Sequence, residues 1–125
     1  MKQHRLETKS EGFKIEIKAK VKGAKGEFEG WFCFDTGAYT VVLPKKVIEE
    51  IGAENVKKVD VSGFESESKG DLYRATVQCG EVEVDKVEVL SSNGEYYLIG
   101  MNFIKRGNLG FFFDREDLIL LEGES

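Results

Sequence analysis

The sequence contains a single histidine, His4, among 125 residues. A Ser-His-Asp triad, a Cys-His pair and a histidine zinc site would all depend on this one side chain. It lies in a polar N-terminal stretch, a kind of segment that rarely positions catalytic groups. The sequence also has no phosphate-binding glycine loop and no carboxylate motif of the EF-hand type. We therefore expect any enzyme chemistry to rest on carboxylates, without a metal or other cofactor.

Cysteine and long apolar runs are scarce as well. Cys33 and Cys79 are the only cysteines, and they lack the CxxC spacing of redox and zinc motifs. Two isolated cysteines in a chain without a secretion signal are most often free thiols. No run reaches the ~18 apolar residues of a membrane-spanning helix, and the N-terminus lacks the apolar core of a signal peptide. These absences predict a cytoplasmic protein without a membrane partner.

Positively charged residues are also fewer than negatively charged ones. Lys and Arg number 18 against 23 Asp and Glu, which gives a formal net charge of −5. A protein that holds nucleic acid by its phosphates needs a basic face, so we expect no nucleic-acid partner. The length and the globular composition predict one domain over residues 1–125, with residues 1–11 as a flexible tail.

The hydrophobic pattern is typical of a β-rich chain. Residues 13–22 alternate apolar and charged side chains, which predicts a strand with one wet face. Residues 28–34 end in an apolar run and predict a central strand. Pro44 and Gly52 predict the two ends of a short helix, Lys45–Ile51. Further strands are predicted at 56–61, 72–79, 82–90, 96–99, 109–113 and 118–121, with hairpin turns at Gly80-Glu81 and Asn93-Gly94 and a short helix at 100–106.

Asp35 is the carboxylate with the most unusual setting. It follows four consecutive apolar residues, 31–34, at the end of a strand expected to be buried. Buried carboxylates are rare unless they are paired or functional. Thr36 adds a hydroxyl that can bond to the backbone, and Gly37 allows a tight turn. For the tripeptide alone, however, an ordinary turn capped by aspartate is the more frequent structure.

The longer segment 32–44, FCFDTGAYTVVLP, resembles the active-site segment of retropepsin-like aspartic proteases. In that family an apolar strand runs into Asp-Thr-Gly-Ala and then into further apolar residues. A second family element, an apolar pair followed by glycine, is matched by Leu98-Ile99-Gly100. The resemblance implies an all-β fold: a closed or partly open β-barrel of the acid-protease type with one or two short helices.

The resemblance also implies a function and an assembly. Family members hydrolyse peptide bonds in a peptide or protein substrate, using two facing carboxylates that share a proton, and they need no cofactor. None of the other aspartates lies in an Asp-Thr-Gly or Asp-Ser-Gly setting: Asp60, Asp71, Asp85, Asp114 and Asp117. The second carboxylate must then be the Asp35 of a second chain in a homodimer. Thr36 would hold the two loops together, and Gly37 would let the backbone approach the substrate.

Other site residues follow from the resemblance alone. It implies that Cys33, Ala38, Tyr39 and Ile99 lie near the substrate groove. It also implies that residues 63–70, with Gly63 and Phe64, form a flap over the substrate. Core packing explains Tyr39 and Ile99 equally well. On composition alone, a solvated surface hairpin is the better explanation of residues 63–70.

The sequence also departs from the family pattern. Tyr39, Val41, Met101 and Asn102 stand where the family often has other, polar residues, some of which tie the dimer and the active-site loop together. The alternative function is therefore a non-catalytic dimerisation or peptide-binding module on the same fold, although the intact Asp-Thr-Gly favours the enzyme. The apolar strand predicted at 118–121 is expected to interleave with the partner's end strands.

Overall fold

Strands account for most of the fold in the computed structural model, which describes residues 1–59 and 70–123. The elements within these ranges are, in chain order, β1 (Lys2–Arg5), β2 (Thr8–Glu11), β3 (Lys14–Lys22), β4 (Glu27–Phe34), β5 (Val41–Pro44), α1 (Lys45–Ile51), β6 (Glu54–Val59), β7 (Gly70–Cys79), β8 (Val82–Ser92), β9 (Leu98–Ile99), α2 (Met101–Arg106), β10 (Leu109–Asp114) and β11 (Asp117–Glu122).

The larger sheet closes on itself. Its order is β2-β3-β4-β9-β5-β8-β7-β6, and β3 pairs in addition with β7. This second pairing joins Ala19–Lys22 to Thr76–Cys79, so six strands form a ring that runs from β3 through β4, β9, β5, β8 and β7. The prediction of an all-β fold, a closed or partly open barrel with one or two short helices, is confirmed.

The barrel interior is filled by apolar side chains, which alternate with polar ones along the strands. In β3, the apolar side chains Ile17, Ala19 and Val21 are buried between partly exposed charged neighbours, as period-two patterning requires. Phe32 and Phe103 are the largest fully buried side chains. Burying a Val, Leu, Ile or Phe side chain stabilises a fold by about 1.5–3 kcal/mol. This core holds the ends of β4 and β9 in place.

The two helices are short. Helix α1 has the predicted bounds, and its C-cap residue Gly52 adopts a left-handed conformation with a φ of 68°, which glycine reaches without strain. Val47, Ile48 and Ile51 form its buried side. Helices α1 and α2 have seven and six residues, and no helix within the described ranges is long and apolar enough to cross a membrane.

One predicted hairpin turn forms and the other does not. Strands β7 and β8 pair antiparallel with Cys79 opposite Val82, and Gly80 has the positive φ of 61° that this turn needs. The hairpin predicted at Asn93-Gly94 is wrong. Strand β9 pairs with β4 and β5 instead of β8. In this position the side chain of Ile99 is buried in the core.

The N-terminal residues also differ from the prediction. Residues 2–11, expected to be a flexible tail, form β1 and β2, which pair with β11 and β3. His4 and Leu6 are both buried, and His4 Nε2 lies 2.9 Å from a carboxylate oxygen of Glu122. Phe13, expected on the apolar side of β3, is fully exposed in the turn after β2. Polar strands this short are stabilised by a distant strand, which the local pattern does not reveal.

A second, three-stranded sheet has the order β1-β11-β10. Its central strand β11 buries Leu118, Ile119 and Leu120. Both edges of β11 are therefore paired within one chain. The prediction that residues 118–121 interleave with a partner's strands is wrong for this arrangement, because β11 has no free edge.

Candidate active site

Asp35 lies where the two sequence motifs meet. Strands β4 and β9 run parallel, with Cys33 opposite Leu98 and Phe34 opposite Ile99. Directly after Phe34, the backbone N–H of Asp35 donates to the carbonyl oxygen of Ile99 at 3.1 Å. Fully buried Ile99 thus anchors the point where the chain leaves the barrel. The structure brings Asp-Thr-Gly and Leu-Ile-Gly side by side, although they are far apart in the sequence.

The loop after Asp35 is a tight turn around its carboxylate. The N–H of Gly37 donates to Asp35 Oδ1 at 2.9 Å, and the N–H of Ala38 donates to the Asp35 carbonyl oxygen at 3.2 Å. A Cβ atom at Gly37 would lie 3.2 Å from Asp35 Oδ1, which is a tight contact. Asp35 is partly exposed, and Thr36 and Gly37 are exposed. The turn therefore fixes the carboxylate through one oxygen and presents it at the surface.

Helix α2 holds the far side of this loop. The N–H groups of Met101 and Asn102 donate to the carbonyl oxygens of Ala38 and Tyr39 at 2.9 and 2.7 Å. Gly100, just before the helix, passes directly over Thr40, and a Cβ atom there would lie 2.5 Å from the Thr40 carbonyl oxygen. Only a residue without a side chain fits between the two chain segments, which explains the glycine of the second motif.

Asn102 is a positioning residue that the sequence motifs did not reveal. Its side chain is buried; Oδ1 accepts from the N–H of Val41 at 3.1 Å, and Nδ2 donates to the carbonyl oxygen of Glu88 at 2.7 Å. By the family pattern, Asn102 counted among the departures that leave the loop without a polar tie. The structure corrects this, because Asn102 connects the end of the loop to β8. The sequence shows only the polar side chain itself, two residues after Gly100, and not the groups to which it bonds.

The remaining predicted site residues have different environments. Cys33 and Ala38 are partly buried, whereas Tyr39 is 64% exposed. Core packing is therefore excluded for Tyr39. Core packing does explain Ile99, because its side chain has no exposed surface in the single chain. Gly63 and Phe64 lie outside the described residues. The strands on either side, β6 and β7, pair antiparallel up to Val59 and Gly70.

The surroundings of Tyr39 are basic. A cavity of about 470 Å³ opens beside it and is lined by Arg74, Lys86, Lys105 and Arg106, with Glu88 as the one acidic side chain among the described lining residues. The ammonium nitrogen of Lys105 lies 5.7 Å from the centre of the Tyr39 ring. Across residues 1–59 and 70–123, no three His, Cys, Asp or Glu side chains lie close enough together to hold a metal ion.

The two cysteines are free thiols of unequal accessibility. Burial raises the pKa of the Cys33 thiol, and the negative charge of nearby Asp35 raises it further. Burial alone raises the pKa of Cys79 to about 12. Since the thiolate is the reactive form, both folded-state shifts make these cysteines less reactive at neutral pH than an exposed thiol. Cys33 is thus a chemical reporter of the charge on Asp35.

We expect iodoacetamide at about pH 8 to label Cys33 slowly and Cys79 only after unfolding. Asp35→Asn removes the charge that disfavours the Cys33 thiolate, so labelling of Cys33 should be faster than in the wild type. Timed labelling followed by peptide mass spectrometry measures both rates. Asp85→Asn is the matched control, and an equal Cys33 rate in wild type and Asp35→Asn would show that the two side chains do not interact.

Comparison with known proteins agrees with this geometry. Residues 17–106 match the model of the family described as "gag-polyprotein putative aspartyl protease". The chain belongs to this family. Among solved structures, it is similar to the crystal structure of a retropepsin-like aspartic protease from Rickettsia conorii. The TM-score is 0.67 and the identity 21%, over 95% of this chain and 90% of that chain. This likeness confirms the retropepsin-like fold.

A second solved structure is similar over less of its length. The foamy viral protease-reverse transcriptase in complex with an RNA/DNA hybrid matches with a TM-score of 0.44 and 20% identity, over 70% of this chain and 11% of that chain. No match was found among curated protein sequences. The aspartyl-protease family match contains both motifs and helix α2, and it ends before β10.

Proposed function

We propose that this aspartyl-protease-family chain is an aspartic endopeptidase that acts as a homodimer. The observation that carries the proposal is the placement of Asp35. Its carboxylate is partly exposed at the end of a buried strand, in a loop held by Gly37, Ile99 and the first N–H groups of α2. A carboxylate that is both fixed in position and accessible meets the first requirement of a general base.

A second chain is needed because the other described aspartates are engaged elsewhere. Asp85 Oδ1 accepts from the Thr76 hydroxyl at 3.0 Å, and Asp114 and Asp117 both pair with Arg5. Asp71 lies in β7, 3.9 Å from the ammonium nitrogen of Lys45. A two-fold axis beside the Asp35 loop would supply an equivalent carboxylate from a second copy.

The paired carboxylates would hydrolyse the peptide bond through a water molecule. Two carboxylates this close share one proton, so one is ionised and the other is protonated. The ionised carboxylate takes a proton from water as the water oxygen bonds to the carbonyl carbon, while the protonated one donates to the carbonyl oxygen. In the second step the C–N bond breaks and the proton passes to the leaving nitrogen.

The neighbouring residues have supporting roles in this proposal. Thr36 of each chain ties the two loops together across the two-fold axis, and Gly37 leaves room for the substrate backbone. Cys33, Ala38 and Tyr39 border the groove. Ile99 acts from beneath, by holding the Asp35 N–H. The free thiols of Cys33 and Cys79 favour a reducing compartment, such as the cytoplasm, as the site of action.

The test is hydrolysis of a mixed peptide library by the wild-type protein from about pH 3 to about pH 8. We expect activity to fall at both ends, because the pair works only while the two carboxylates share one proton. The library should include acidic side chains, since basic residues line the cavity beside Tyr39. Cleavage products are identified by mass spectrometry. A well-formed dimer that cleaves nothing at any pH would favour the non-catalytic peptide-binding module instead.

A further inference from the structure

The cavity beside Tyr39, hereafter the basic cavity, carries an excess of positive charge. Among the described residues, its lining includes four cationic side chains and one carboxylate: Arg74, Lys86, Lys105, Arg106 and Glu88. All five residues are exposed. The chain as a whole has the opposite sign, with a formal net charge of −5. The positive charge of the cavity is therefore local and does not reflect a generally basic protein.

The carboxylates of the chain leave these cations unpaired. Within residues 1–59 and 70–123, none of the four has a carboxylate oxygen within 4.0 Å of its charged nitrogen atoms. This holds even for Arg74, which lies opposite Glu88 in the β7–β8 register. On another part of the surface, by contrast, the ammonium nitrogen of Lys22 lies 2.9 Å from a carboxylate oxygen of Glu83. Unpaired cations around a cleft of one sign attract an anion from solution.

A β-bulge supplies one of the four cations. The β7–β8 register shifts between Ala75 and Val77, where β8 has one residue more than β7. Lys86 lies in this stretch and has a φ of 56°, in the left-handed region that residues with a side chain rarely adopt. Bulges are frequent beside binding sites, where they redirect a side chain. The strand is thus distorted at a position whose side chain lines the basic cavity.

The basic cavity adjoins the Asp35 loop. The N–H of Ala38 donates to the Asp35 carbonyl oxygen and closes a four-residue turn, and Tyr39 is the next residue. Such a turn spans less than about 7 Å, so the Cα atoms of Asp35 and Tyr39 are at most about 11 Å apart. An extended peptide rises about 3.3 Å per residue. A peptide bound across Asp35 would therefore reach the cavity about three to five residues from the scissile bond.

We propose that the basic cavity binds an acidic side chain of the peptide substrate and thereby determines cleavage specificity, an inference that rests on the proposed function. Lysine and arginine donate charge-assisted hydrogen bonds to a carboxylate. Arg106 has five such N–H donors, of which Nε–H is directed at the Asp85 carbonyl oxygen at 3.4 Å. The two-fold axis of the dimer would place one cavity on each side of the scissile bond. A nucleic acid fits less well, because its phosphates need an extended basic face.

Substrate selectivity tests this role. A peptide that the wild type cleaves is resynthesised with Glu or with Gln at positions about three to five residues from the scissile bond. We expect kcat/KM to be at least about 10-fold higher for the Glu peptide, and this ratio to fall at least about threefold in Arg74→Gln/Lys105→Gln. Because both peptides meet the same protein sample, the ratio is independent of the folded fraction. Lys25→Gln is the matched control and should keep the wild-type ratio, since exposed Lys25 lies in the β3–β4 turn and does not line the basic cavity.

Binding without hydrolysis separates this inference from the proposed function. Fluorescein-labelled peptides of about 12 residues, in which alanine alternates with Glu or with Gln, are titrated with Asp35→Asn protein, and the Glu peptide should bind at least about 10-fold more tightly. Failure of both peptides to bind, equal affinity for the two, a Glu preference that Arg74→Gln/Lys105→Gln leaves intact, or tighter binding of an oligothymidylate of the same length would each overturn the inference. A Glu preference in binding without any hydrolysis by the wild type would refute the proposed function and leave the acidic-peptide site standing. Hydrolysis without a Glu preference would do the reverse.

Discussion

Asp35→Asn is expected to reduce peptide hydrolysis by at least about 1,000-fold while leaving the fold and the dimer intact. Asparagine has nearly the same shape, and its side-chain oxygen can still accept the Gly37 N–H that Asp35 Oδ1 accepts at 2.9 Å. The turn should therefore survive. The substitution removes the ionised carboxylate, and with it the base that takes the proton from water. It also relieves the repulsion between two like charges at the dimer axis, so association should not weaken.

The matched control for this result is Asp85→Asn. Asp85 also holds a neighbour through one carboxylate oxygen, since Oδ1 accepts from the Thr76 hydroxyl, and asparagine can keep that bond. Its hydrolysis rate should equal that of the wild type. Rates are compared on the same peptide library, with dimer formation checked by sedimentation. Full activity of Asp35→Asn would refute the assignment of Asp35 as the catalytic carboxylate.

Gly100→Ala is expected to destabilise the protein by at least about 3 kcal/mol and to abolish activity at the same time. The added Cβ would lie 2.5 Å from the Thr40 carbonyl oxygen and 2.7 Å from its backbone nitrogen. These are backbone atoms, so no side-chain rotation relieves the overlap. The loop or helix α2 has to move, which breaks the hydrogen bonds from Met101 and Asn102 to Ala38 and Tyr39.

Gly26→Ala is the control for the glycine substitution. A Cβ atom at Gly26 would meet no atom within 4 Å, so its free energy of unfolding should stay within about 0.5 kcal/mol of the wild type. Urea unfolding of the three proteins gives the comparison. A Gly100→Ala protein as stable as Gly26→Ala would show that the backbone at Gly100 does not pass this close to Thr40.

The parts of the fold that local patterns encode were predictable. Helix α1 has its predicted bounds because Pro44 and Gly52 act within one short segment. The β7–β8 hairpin follows from the positive φ that Gly80 adopts. Both motifs of the active site were found in the sequence, since each depends on a few adjacent residues. Their contact across β4 and β9 was implied only by the family resemblance.

The parts that depend on distant partners were not predictable. Strands β1 and β2 are too short and polar to show a pattern, and they form because β11 and β3 offer edges. The side chain of Asn102 bonds to Val41 and Glu88, two positions that nothing in the sequence connects to it. The apolar pattern of 118–121 predicted a strand correctly, but it could not reveal that β1 and β10 of the same chain occupy both its edges.

The central claim is that each active site needs Asp35 from two chains, and a mixing experiment tests it most directly. Wild-type protein is held at constant concentration with excess substrate, and a ninefold excess of Asp35→Asn is added and allowed to exchange. If both carboxylates are required, nearly every wild-type chain pairs with a variant, and hydrolysis should fall to about a tenth. Hydrolysis that stays unchanged after full exchange would contradict the account, because one chain would then suffice.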